Sequence, residues 1–198
     1  MFENKDFKNL LDQAKSKAKL ITLDGNKKPS NVINKEKKVL KFTINEKDNN
    51  YIVSLKSLIN DKQITLEDIS KVVGSNAYNL YYSLEKKGQL LFDRLDLWCE
   101  ILGVNCELNF RDLEDIKFEG DNIIKFSDNP EDNKYVVALK NKINSKKITM
   151  EHLRNILGVN NSYNKYYSLE KHSQCSFKTI DLWCEILHCE CNLIFKEK

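Results

Sequence analysis

The side chains in this 198-residue chain with the most reactive chemistry are six cysteines and three histidines. His188, Cys189 and Cys191 stand close together and invite a metal reading. A structural zinc site ordinarily takes four ligands, with pairs spaced as C-x₂-C, and this cluster supplies three at a tighter spacing. No metal and no cofactor are therefore expected. The histidines, His152, His172 and His188, all fall in the C-terminal half. No Gly-rich phosphate loop, H-E-x-x-H pair or nucleophile elbow is present, so the chain is not expected to be an enzyme.

The elements that position these residues come in duplicate. Tyr81-Tyr82-Ser83-Leu84-Glu85-Lys86 recurs as Tyr166-Tyr167-Ser168-Leu169-Glu170-Lys171, and Asp96-Leu97-Trp98-Cys99-Glu100-Ile101-Leu102 recurs as Asp181-Leu182-Trp183-Cys184-Glu185-Ile186-Leu187. Leu40-Lys41-Phe42 matches Ile124-Lys125-Phe126, and Ile64-Thr65-Leu66-Glu67 matches Ile148-Thr149-Met150-Glu151. About half of the aligned positions are identical, and one residue inserted after Gly158 moves the offset from 84 to 85. Cys99 pairs in the alignment with Cys184, and Cys106 with Cys191, each in an apolar setting where a thiol behaves as a small hydrophobe. The expected organisation is a basic N-terminal helix, strand and linker over 1–38, repeat 1 over 39–110, an acidic linker over 111–122 and repeat 2 over 123–198. A unit of this length can carry its own core, so two globular domains are expected.

Each repeat reads as strand, four helices, strand. In repeat 1 the alternation in Val39–Ile44 predicts a strand. Helices are predicted over Asn50–Asn60, from Thr65 to Val73, from Ser75 or Asn76 to Lys86, and over Phe92–Leu102. Thr65 with Asp68 forms a variant capping box, and Gly74 and Gly103 end helices. Cys106–Phe110 alternates and predicts a closing strand. Repeat 2 predicts strands at Ile123–Phe126 and Glu190–Phe195, and helices near Asn133–Ile143, Met150–Leu157, Asn161–Glu170 and Phe177–Leu187. Trp98 and Trp183 lie on apolar stripes and are expected in the core. Tyr81 and Tyr166 fit either packing or exposure. Upstream, Asp6–Leu20 predicts an amphipathic helix, Ile21–Leu23 a strand, and Lys27–Lys38 a polar linker.

Hydrophobic content of 41% supports packed cores, and 31% charged residues suit a soluble chain. No apolar run approaches a membrane span, and the start lacks the apolar core of a secretory signal. Reduced cysteines and a cytoplasmic, bacterial or phage setting follow as expectations. The net charge of +3 is uneven. Residues 1–38 carry +5 (ten basic, five acidic), repeat 1 carries −2, the linker −3, residues 123–195 +2 and the last three residues +1. A basic segment and a mildly basic second repeat are compatible with a polyanion.

In repeat 1, Ile64 to Gly74 resembles the first helix and turn of the Cro and lambda-repressor (XRE) helix-turn-helix family. Leu84-Glu85-Lys86-Lys87-Gly88 is similar to the end of that family's recognition helix, and Phe92 with Leu95 to Gly103 to its next helix. The resemblance implies a mainly α chain of two tandem helix-turn-helix domains, four helices each, with short flanking strands in a pseudo-twofold arrangement. It implies recognition helices whose N-terminal residues meet base edges. Carried over by position these are Ser75, Asn76, Ala77, Tyr78, Asn79 and Tyr82, and Asn160, Asn161, Ser162, Tyr163, Asn164, Lys165 and Tyr167. Asparagine can pair with adenine, and tyrosine and serine can reach phosphate. Lys71, Lys86, Lys87, Lys165 and Lys171 would contact phosphate. The family's usual glutamine and any arginine are missing from both helices, which points to A·T pairs. The implied function is a sequence-specific double-stranded DNA-binding repressor, its target an A/T-rich imperfect inverted or direct repeat. The terminal strands of the two copies could pair, and a homodimer or protein partner stays open. The alternative is a phage or mobile-element protein that uses these domains to bind another protein, such as a host defence enzyme.

Overall fold

The computed structural model describes residues 38–118, 120–173 and 175–198. The expectations for residues 6–37 lie outside them. The described chain is mainly helical with a small two-stranded sheet. The first copy runs α1 (Asn50–Lys62), α2 (Leu66–Val73), a 3₁₀ turn (Gly74–Asn76), α3 (Ala77–Glu85), α4 (Phe92–Leu102) and β1 (Val104–Asp112). The second runs α5 (Lys134–Lys146), α6 (Met150–Leu157), α7 (Val159–His172), α8 (Phe177–Leu187) and β2 (Cys189–Glu197). Side-chain caps start most of these helices. Asn49 accepts from the Ile52 amide, Asn133 from those of Tyr135 and Val136, and Thr65 and Asp68 form the reciprocal capping box. Gly103 closes α4 at φ +67°. His188 holds the same left-handed position after α8 at φ +49°, a conformation that costs a side-chain-bearing residue about 1–2 kcal/mol.

The predicted strands Val39–Ile44 and Ile123–Phe126 are not strands. Each makes a single bridge, Val39 to Thr65 and Ile123 to Thr149. Side chains take the place of a ladder partner. The Asn60 amide accepts from the Phe42 N–H (2.7 Å) and donates to its carbonyl (2.9 Å), and Asn144 grips Phe126 in the same way (2.8 and 2.9 Å). The Glu85 carboxylate then accepts from the Thr43 amide (3.0 Å) and Glu170 from that of Ser127 (3.1 Å). Every one of those backbone groups is satisfied without a neighbouring strand. The segments stay extended and seat Phe42 and Phe126 edge-on against Trp98 and Trp183, at 5.6 and 5.8 Å between centroids. Both tryptophans are fully buried.

The copies meet through contacts that recur with their roles exchanged. β1 and β2 pair antiparallel with Leu108 opposite Leu193, its own counterpart in the repeat, so the sheet is centred on a local twofold. The Tyr51 hydroxyl donates to Asp181 at 2.7 Å, and the Tyr135 hydroxyl to Asp96 at 2.7 Å. Burial and then the carboxylate partner push both phenols up from their ordinary pKa, so they remain donors. Phe177 lies 4.4 Å from Tyr51, Phe92 lies 4.8 Å from Tyr135, and the two phenylalanines meet edge-to-face at 4.9 Å. Lys62 pairs with Glu197 (2.5 Å) as Lys146 pairs with Asp112 (2.9 Å). β1 extends to Asp112, inside the segment expected to be linker, and the Leu113 amide donates to the His188 carbonyl at 3.0 Å. One apolar cluster runs through both copies. No helix among the described residues is long and apolar enough to cross a membrane.

Candidate functional site

The face of α3 is set by what its other side buries. Ala77, Leu80, Ser83 and Leu84 point into the core, and Ile69 of α2 packs there too. That register leaves Asn76, Tyr78, Asn79, Tyr82, Lys86 and Lys87 exposed. Helical spacing stacks Tyr78 on Tyr82, with ring centroids 5.9 Å apart, and the Lys87 ammonium sits 5.8 Å from the Tyr82 ring. In the second copy Asn161, Tyr163, Asn164, Lys165, Tyr167 and Lys171 are exposed on α7, and Tyr163 stacks on Tyr167 at 6.0 Å. Ser162 does not belong to this face. It is fully buried, and its hydroxyl donates to the Val159 carbonyl at 2.7 Å. It aligns with Ala77, which is also buried, and a serine there can satisfy itself inside the helix. Tyr81 and Tyr166 turn inward, 5.2 Å from Phe42 and 5.1 Å from Phe126. Burial, then Glu85 or Glu170, raises their phenol pKa values.

The two faces differ in charge. Lys71 of α2 already pairs with Asp68 at 2.8 Å, and that hydrogen bond holds Asp68 well below the usual carboxylate range while raising Lys71. The second copy has His152 in place of Asp68 and Asn155 in place of Lys71. The box is therefore lost: Thr149 still caps the His152 amide, but among the described residues no side chain returns to the N-cap. His152 instead rests edge-on against Phe118 (4.6 Å), with its Nε2 buried and unbonded among the described residues. Desolvation, helped by His188, lowers its pKa and keeps it neutral. Arg154, Lys165 and Lys171 are exposed in this copy with no ion-pair partner among the described residues.

A second constellation, in duplicate, escaped the sequence reading. Lys56 is fully buried on α1, donates to Asp48 and to the Thr43 carbonyl at 2.8 Å each, and lies 3.7 Å from Glu85. Lys140 repeats this with Asp132 (2.7 Å), the Ser127 carbonyl (3.2 Å) and Glu170 (3.9 Å). Burial alone would raise the Asp48 and Asp132 carboxyls. Lys56 with the Asn45 amide, and Lys140 with Ser173, overcome it and hold both below the ordinary value. Each ammonium, with two hydrogen bonds and a second carboxylate close by, ties three segments together. The available signal was a lysine on the Ile52–Leu55–Ile59 face in one copy, matched by an identical lysine in the other.

The cysteines are free, and all but Cys175 are buried. Cys189 and Cys191 point into the core while His188 is exposed, 3.8 Å from Glu114. Among the described residues no group of three or more His, Cys, Asp or Glu side chains is placed to hold a metal ion. Compared with known proteins, no family model matches the chain, and neither a curated protein nor a solved structure is significantly similar to it.

Proposed function

We propose that the chain is a sequence-specific double-stranded DNA-binding protein, a transcriptional repressor that presents two recognition helices, α3 and α7, from one polypeptide. In this reading α2 with α3, and α6 with α7, are helix-turn-helix pairs of the XRE type. The observation that carries it is the repeated face: an exposed Asn-x-Tyr-Asn at the start of each helix, with stacked tyrosines behind it and lysines at its end. Asn76, Asn79, Asn161 and Asn164 are the base readers, suited to adenine N6 and N7. Tyr78, Tyr82, Tyr163, Lys86, Lys87, Lys165 and Lys171 hold phosphate and sugar. The twofold exchange of contacts between copies supports a target of two related half-sites. A duplex selected by the wild-type chain tests the assignment. Replacing Asn79 and Asn164 together by alanine should weaken it by about 1–3 kcal/mol per lost pairing and relax its sequence preference. Unchanged affinity and preference would remove both residues from the site.

A second reading, in which the same faces bind a protein such as a host defence enzyme, is favoured by the first copy alone. There Glu67 and Asp68 begin α2, and Lys71 is spent on Asp68.

A further inference from the structure

We propose that the two copies read different chemistry, and that the second copy reads the 5-methyl group of thymine through Val159. The inference rests on the DNA-binding reading and deepens it. With Asn160 aligned to Ser75, Val159 is the residue inserted after Gly158. The insertion changes the local backbone. The first copy leaves Gly74 through a 3₁₀ turn, whereas α7 begins at Val159 directly, its first turn closed by the Ser162 amide on the Gly158 carbonyl (3.0 Å).

Val159 is thereby held at the tip of the helix with 67% of its surface exposed, more than any other large apolar residue described. Tyr163 and Tyr167 follow at i+4 and i+8 on the same face, and Ile156 at the end of α6 is exposed as well. Lone exposed apolar residues need no explanation, but three in one line do. The first copy keeps only the tyrosine pair, Tyr78 and Tyr82: Ser75 follows its glycine, and Val72, which aligns with Ile156, is half-buried.

The surroundings select the partner. Arg154, Lys165 and Lys171 are exposed on α6 and α7 against one exposed carboxylate, Glu151, which suits a polyanion better than an apolar protein surface. In a major groove the apolar feature is the thymine methyl, which no other base carries. Val159 lies beside Asn160 and Asn161, both exposed. One helix tip therefore offers an isopropyl group for the methyl of a T·A pair and amides for adenine.

The experiment uses the full chain and a duplex selected from a random pool. The duplex is resynthesised with deoxyuridine for thymidine in one half at a time, which removes only methyl groups. Deoxyuridine in one half should weaken binding by about fourfold per methyl contacted, the equivalent of one buried CH₂. The other half should tolerate it, and V159A should make the two halves alike. Val159 is exposed, so the substitution leaves the core intact. Tolerance in both halves, sensitivity that survives V159A, or a selected site without thymine at a fixed position in either half would each overturn the inference and leave DNA binding standing. A pool from which nothing is enriched at low salt would overturn both, and the stripe would then be a protein-docking face.

Discussion

The interior of the two copies is nearly one structure made twice, and the surface is not. Inside, Lys56 and Lys140 bind the same three groups, Asn60 and Asn144 grip the same backbone, and Trp98 and Trp183 meet the same phenylalanine edge. Outside, Asp68 gives way to His152, Lys71 to Asn155 and Lys87 to His172, buried Leu80 is matched by exposed Lys165, and a residue is added at the tip of α7. Burial explains the contrast. A buried ion cluster tolerates no change of partner, because each member alone would be an uncompensated charge. An exposed helix face can change residue by residue at little cost to stability. Duplication has kept the frame and its twofold seam while giving the two helices different surfaces.

The largest effect should come from the part that is the same. Lys56→Ala leaves Asp48 and Glu85 buried without their cation and should destabilise the chain by about 3–5 kcal/mol. Lys140→Ala should cost a similar amount. Denaturant unfolding of both variants measures this, and a loss under about 1 kcal/mol in either would show that the clusters are not equivalent in energy.

Acid should act on the same clusters, more gently. Asp48 and Asp132 have folded-state pKa values below their ordinary 3.8. Their contribution is therefore present above pH 3.8 and lost as pH falls through the folded values. Stability measured from pH 6 downward should hold until about pH 4 and then fall. K56M, which removes the cation that lowers the Asp48 carboxyl, should flatten the decline.

Much of the frame was legible in the sequence. The bounds of α4, α6 and α8 coincide with the apolar stripes and capping residues that predict them, and the closing strands pair with each other. The opening strands misled because alternation records which side chains are buried, not what bonds the backbone. Asn60 and Glu85 supply that from far along the chain. Lys56 was passed over because lysine on a helix is almost always solvated, and its two carboxylates lie 8 and 29 residues away. On the candidate face the residues carried over from the family resemblance are exposed, with Ala77 and Ser162 the exceptions: these aligned positions both face the core. Val159 carried no motif. Its exposure became informative only once the backbone placed it at the tip of α7.

The smallest and most discriminating effect lies in the unequal faces. The decisive measurement is the affinity of the full chain for A·T-rich and random duplexes between about 50 and 200 mM salt, made for the wild type, K86A/K87A and K165A/K171A. The account predicts that log affinity falls linearly with log salt and that A·T-rich duplex binds tighter. Each lost phosphate contact should flatten the slope by about 0.9, with K165A/K171A losing more affinity than K86A/K87A. Absence of binding at the lowest salt, or an affinity indifferent to salt, would contradict it.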